Sequence, residues 1–127
     1  MSIERFGSGG PWEKAVGYSR AVRAGGLVFV AGCTGVGADG EVVEGGARAQ
    51  MRQACRNVEA ALAQAGATPA DVVQTRMYVT DIALWEDVGR AHAETFGAAP
   101  PVSAMVQVAG LIDPRLVVEV EAVAYTG

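Results

Sequence analysis

The run LVVEVEAVAY, Leu116 to Tyr125, constrains the fold of this chain more than any other ten residues. Its side chains alternate. Leu116, Val118, Val120, Ala122 and Ala124 make one face wholly apolar, while Val117, Glu119, Glu121, Val123 and Tyr125 make the other mixed. A period of two belongs to a β-strand, whose successive side chains point to opposite sides of the sheet. The apolar face must be covered by other elements. The mixed face suits neither a dry core, because an unpaired buried carboxylate is costly, nor a plainly solvated surface. A sheet face of that character is a candidate subunit interface.

The rest of the chain supplies the cover. From Ala15, AVGYSRAVRAGGLVFVAGC reads as a hairpin. Val16, Tyr18, Arg20 and Val22 lie on one side of its first arm, Ala24-Gly25-Gly26 makes the turn, and LVFVAG is a buried second arm. In GARAQMRQACRNVEAALAQAG, residues Met51, Ala54, Cys55, Val58, Ala61, Leu62 and Ala65 recur three or four apart, which predicts an amphipathic helix stopped by Gly66. Thr68 and Pro69 suit the cap and first position of a short turn. VVQTRMYVT is the next strand. Asp81 can cap a second helix through Trp85, Val88, His92 and Phe96, with Trp85 expected in the core. Pro100-Pro101 then breaks the chain before SAMVQVAGL and the closing strand. The order is ββαβαββ, with a further short strand expected near Glu41–Val43. Two helices cover one face of a mixed sheet, so the fold class is α+β in a single domain over residues 1–127.

Bulk properties exclude some functions. Half of the 127 residues are hydrophobic and 19% are charged, a globular composition. A net charge of −4 argues against nucleic-acid partners, since an acidic surface repels phosphate backbones. Two cysteines, Cys33 and Cys55, and one histidine, His92, form neither a disulfide framework nor a zinc cluster. No apolar run has the length of a membrane span, and MSIERFGSGG carries no leader-like stretch. The expectation is a cytoplasmic protein without metal or membrane partner.

Several spaced stretches, taken together, resemble the Rid/YjgF family of reactive intermediate deaminases. These are VGYSRAVRAGG with VFVAG, QMRQACRNVEAALAQAGATPADVVQTRMYVTDI, WEDVGRAHAETFG, and PPVSAMVQVAGLIDPRLVVEVEAVA. The resemblance implies a chorismate-mutase-like homotrimer with helices outside and a small-molecule cleft between neighbouring subunits. It implies hydrolysis of reactive enamines and imines to a carbonyl product and ammonia, without a cofactor. Position by position it places Tyr18, Gly32, Cys33, Ser103 and Met105 around the ligand and makes Glu119 the residue that holds the attacking water. Glu121 becomes an interface acceptor; the alternative is that both glutamates line a solvated channel. Three positions depart from the family's pattern. Active members carry an arginine for the substrate carboxylate where this chain has Ser103, often an asparagine where it has Gly89, and sometimes a cysteine where it has Met105. A charge-assisted arginine–carboxylate pair contributes roughly 1.5–3 kcal/mol, so the usual 2-imino acids are expected to be poor substrates. Arg76 and Arg20 are the candidates to replace it. The other reading is a non-catalytic trimer that binds a metabolite in the same clefts.

Competing motifs are weaker. GVGADG, Gly35 to Gly40, spells GxGxxG after a strand, but EVVEGG separates it from the helix that a dinucleotide site needs at once, so it reads as a loop. Cys33 has no base nearby in sequence, Cys55 falls on the apolar stripe of its helix, and His92 shares a stripe with Val88 and Phe96; each reads as packing. A ribonuclease reading lacks a His–Lys constellation.

Overall fold

A computed structural model describes residues 2–127. Its six strands form one sheet in the order β1-β2-β3-β6-β4-β5, with β1 Ile3–Phe6, β2 Ala21–Ala24, β3 Leu27–Thr34, β4 Val72–Val79, β5 Val102–Gln107 and β6 Val118–Tyr125. All neighbours are antiparallel except β4 and β5. A parallel pair cannot be joined by a tight turn, and helix α3, Trp85–Phe96, makes that crossover. Helix α2, Gly46–Gln64, packs beside α3 on the same face of the sheet, as the α+β reading requires.

The alternation of the closing strand is realised residue by residue. Val118, Val120, Ala122 and Ala124 are at most 2% exposed and meet Met51, Ala54, Cys55, Val58 and Leu62 of α2 in one core. The helix stops where expected. Gly66 takes φ +81°, and Arg23 of β2 donates to the Ala65 carbonyl at 2.6 Å, placing a cation on the helix's negative end. Thr68 and Asp71 cap the 3-10 turn Pro69–Asp71, the Thr68 amide donating to Asp71 Oδ2 at 2.9 Å. The Asp81 carboxylate accepts from the Ala83 amide at 2.9 Å and opens the turn that leads into α3.

Neither α2 nor α3 covers the other face. There Leu27, Phe29 and Tyr125 remain 39–57% exposed beside Val123, Glu119 and Glu121. Exposed apolar side chains gathered on one sheet face mark a candidate contact surface.

Four expectations need correction. The hairpin's first arm begins at Ala21 and not Ala15, because Pro11–Val16 forms a short helix, α1, closed by Gly17 at φ +88°. The alternation of Val16, Tyr18 and Arg20 is therefore not a strand pattern. Strand β1 pairs with β2 ahead of the predicted elements. Near Glu41–Val43 there is only a single bridge, Val36 to Val42. Trp85 is 56% exposed at the first position of α3, from which a helical side chain tilts back toward the N-terminal end. The GVGADG stretch is a loop, closed by Gly37 donating to Glu41 O at 2.8 Å.

Candidate functional site

The site grows from a bulge in β3. Between the Val30–Ala122 and Cys33–Val120 pairs, β3 has two residues, Ala31 and Gly32, where β6 has only Glu121. Bulges of this kind re-aim side chains and backbone. Here the bulge presents the Gly32 peptide to the Glu119 side chain so closely that a methyl group on Gly32 would overlap the carboxylate, with Glu119 Cδ only 2.7 Å from the Cβ position. Only glycine leaves room for that approach.

Arg20, in the segment between α1 and β2, organises the surroundings. Its Nη1 donates to the Gly32 carbonyl at 2.7 Å, its Nη2 to the Tyr18 hydroxyl at 3.2 Å, and its Nε faces Glu13 Oε2 at 3.4 Å. The guanidinium also lies over the Tyr18 ring, 5.5 Å from its centroid. Glu13 is held from below, accepting from the Ser8 amide at 3.0 Å and from the Ser8 hydroxyl. Burial pushes the Glu13 carboxyl up, but Ser8 and Arg20 outweigh it and leave it below the usual carboxylate range. The result is an anchored cation tying Tyr18 to the bulge.

Glu119 is half-buried and has no hydrogen-bond partner among the described residues. Burial pushes its carboxyl above the ordinary carboxylate range; Glu121 adds to the rise, and nearby Arg20 restrains it. A carboxylate of raised basicity with unfilled acceptor sites is suited to take a proton from water. Glu121 differs. It accepts from the Tyr78 hydroxyl and faces Arg76 Nη1 at 4.0 Å, so it is already engaged within its own chain.

The remaining predicted residues fall elsewhere. Cys33 follows Gly32 but turns to the core side, 3% exposed, with Sγ 3.4 Å from Arg20 Nη1; burial raises its thiol pKa against the opposing pull of Arg20. Ser103 and Met105 lie on the edge strand β5, opposite Thr75 and Met77 on the helix side of the sheet. Strands β6 and β4 stand between β3 and β5, a distance of about 14 Å at ~4.8 Å per strand. One chain thus brings Tyr18, Gly32 and Glu119 together and holds Ser103 and Met105 apart. Neither arginine stands beside Ser103: Arg76 pairs with Ala104 in register and points to the opposite face, and Arg20 is committed at the bulge.

Sequence reasoning missed Glu13 and Thr75. Glu13 sits in a six-residue helix between glycines, with nothing in its spacing to mark it as buried. Thr75 is 0% exposed and bonds both His92 Nε2 and Ser103 Oγ at 2.8 Å, a link that becomes visible only when α3 is laid on β4.

Comparison with known proteins bears on the family and the fold. The family model described as Endoribonuclease L-PSP matches residues 11–126. A Streptomyces coelicolor protein, named only as uncharacterized, is 38% identical over 126 residues, 99% of this chain and 94% of that one. A RutC family protein of Pyrococcus abyssi is 34% identical over 110 residues, 85% of each. The crystal structure of a Mycobacterium tuberculosis member of the YjgF/YER057c/UK114 family is 54% identical, with TM-score 0.88 over 98% of this chain and 99% of that one. RidA from an Antarctic Psychrobacter is 32% identical, with TM-score 0.80 over 85% and 87%. From α1 to the end of β6, both the sequence and the path of the backbone are those of the Rid/YjgF family, to which this chain belongs.

Proposed function

We propose that the protein is a hydrolytic deaminase of reactive enamines or imines, working as a homotrimer with its active sites in clefts between subunits. The observation that carries this reading is the state of Glu119. It is half-buried, raised in basicity, free of hydrogen-bond partners among the described residues, and set against the Gly32 peptide, where a glycine leaves room for its carboxylate. In this reading a water donates its proton to Glu119 and its oxygen attacks the carbon of the C=N bond. Glu119 passes that proton to the nitrogen, giving the carbinolamine, then takes the hydroxyl proton and hands it to the nitrogen as the C=O bond forms and the C–N bond breaks, releasing ammonia. Tyr18, steadied by Arg20, orients the substrate.

Two features support assembly. Ser103 and Met105 stand two strands from Glu119 and on the opposite face of the sheet, so they share no cleft with it within one chain, whereas a second copy can bring its own β5 to the first copy's bulge. The uncovered face with Phe29, Val123 and Tyr125 is suited to burial between copies. Without an arginine at position 103, a substrate carboxylate has no matching cation there, so the preferred imine is one whose acid group is absent or held elsewhere.

The test is hydrolysis of imines generated in place by amine and amino-acid oxidases, with sedimentation of the same samples. Ammonia release above buffer by a species of three chains, lost in Glu119→Gln, is the expected result. Rates equal to buffer across the panel, or unchanged in Glu119→Gln, defeat the catalytic reading. The alternative, a trimer that binds a metabolite without chemistry, is favoured by Ser103 and Gly89, and it predicts ligand-dependent thermal shifts with no turnover.

A further inference from the structure

On the helix side of the sheet, three side chains form a continuous line. Ser103 on β5 is exposed, Thr75 beside it on β4 is 0% exposed, and His92 on α3 is half-buried against Phe96. Thr75 Oγ1 is 2.8 Å from Ser103 Oγ and 2.8 Å from His92 Nε2. Thr75 has one hydroxyl proton to give. If it goes to Ser103, Nε2 of His92 must carry a proton and donate to Thr75, and the Ser103 proton is released outward. If it goes to His92, the Ser103 proton points inward and only lone pairs face out. The line therefore has two polarities, and the imidazole at its buried end is tied to the hydroxyl at its exposed end.

We propose that Ser103, Thr75 and His92 act as one polarised relay whose outward hydroxyl binds a neutral hydrogen-bond acceptor, the carbonyl of an amide, ketone or ester. Ser103 is the binding residue; Thr75 and His92 are positioning residues. Three observations point to a neutral group. Arg76, whose Cα is in register with Ala104, points to the opposite face and is paired with Glu121. Burial lowers the His92 pKa, so the imidazole is neutral at pH 7 and offers no charge to an anion. Gly89, one turn before His92, leaves open space, with no atom within 4 Å of its Cβ position. Enclosed between copies in the proposed cleft, an anion would lose hydration with no cation among these residues to replace it. The inference deepens the proposed deaminase by naming what its substrate carries in place of a carboxylate, but the relay does not require hydrolysis.

His92 is the only histidine in the chain, which makes the test direct. Pyruvamide and pyruvate serve as a matched neutral and anionic pair, titrated into the intact protein while the His92 ring nitrogens are followed by 15N NMR. The expected result is pyruvamide binding at least about tenfold tighter than pyruvate, the scale of one hydrogen bond against an uncompensated desolvation. Pyruvamide should also drive His92 toward the tautomer protonated on Nε2. Thr75→Val should silence that response and Thr75→Ser restore it. Should Thr75→Val fail to fold, Ser103→Ala at an exposed edge position makes the same cut and should abolish both the response and the preference. Pyruvate binding as tightly as pyruvamide, binding of neither, or a His92 spectrum unmoved at saturation overturns the relay. Because none of these readouts needs turnover, a protein that hydrolyses no imine yet shows them retains the relay, and an active deaminase with a silent His92 does not.

Discussion

The carboxylate of Glu119 occupies the space in which a side chain on Gly32 would begin. Atoms in the way of a methyl group there belong to the far end of a flexible side chain, so Gly32→Ala should turn Glu119 aside at little cost to the fold, less than about 1 kcal/mol. Gly35 provides the contrast. A Cβ on Gly35 would stand 2.8 Å from the Cα of Gln50, so the backbone of α2 must move. Gly35→Ala should cost about 1–3 kcal/mol, the usual range for overpacking a core. Chemical denaturation should separate the two variants in stability, and ammonia release should fall in Gly32→Ala although its midpoint is nearly that of the parent.

Glu119 should also write a signature on the pH dependence of stability. Its folded pKa lies above its ordinary value of 4.5, through burial first and Glu121 second, with Arg20 opposing. In the window between the two values the folded chain holds a proton that the unfolded chain has lost. Its contribution is complete below pH 4.5 and is lost as pH rises through the folded value. Glu119→Gln should remove that decline, so the variant gains stability relative to the parent as pH rises across the window. Activity runs the other way, because a base must be deprotonated; the acid limb of kcat/KM should inflect above 4.5. Denaturation midpoints and rates from pH 4 to 8 measure both.

What could be read beforehand divides along physical lines. The closing strand was legible because its period of two is set by covalent geometry and its core face is uniformly apolar; Val118 to Ala124 lie as the alternation requires. Helix α2 was legible for the same reason at a period near 3.6. The segment before β2 was not, since Val16, Tyr18 and Arg20 mimic alternation by chance while Pro11 and Gly17 delimit a helix too short to show a stripe. At the site, Glu119 and Gly32 could be placed together from the family resemblance, but the bulge that joins them has no sequence signal. Arg20 was ambiguous because its role depends on the face it takes, and the link from His92 to Ser103 spans elements whose packing no local pattern encodes.

Gln50 staples α2 to the loop that leads into β6. It is 5% exposed; its Nε2 donates to the Arg115 carbonyl and its Oε1 accepts from the Val117 amide, each at 2.9 Å. Both backbone groups depend on this one side chain for their partners among the described residues. Truncation to alanine leaves them unpaired, at about 1–3 kcal/mol for each buried group that water cannot reach. Gln50→Ala should be destabilised by at least about 2 kcal/mol, and Gln50→Glu by less at low pH, where a protonated carboxyl still offers one donor and one acceptor. Urea unfolding at pH 4.5 and 7.5 distinguishes these cases.

Neither thiol should behave as a nucleophile. Cys33 is 3% and Cys55 1% exposed, and both are reduced and unpaired. Burial pushes the Cys55 thiol up to about 11, and Cys33 also rises although Arg20 pulls it down. At pH 7.5 a thiol of pKa near 11 is ionised to well under one part in a thousand, and attack on a disulfide reagent requires the thiolate. Arg20 does not alter the outcome at Cys33, because its strongest bond goes to the Gly32 carbonyl at 2.7 Å and its contact with sulfur is longer, 3.4 Å. With an aromatic disulfide in excess, the native protein should release chromophore at the rate of its opening reactions, and both thiols should react at once in denaturant. Rapid reaction of one equivalent in the native state would show that Cys33 is reached from the bulge and is held as a thiolate by Arg20.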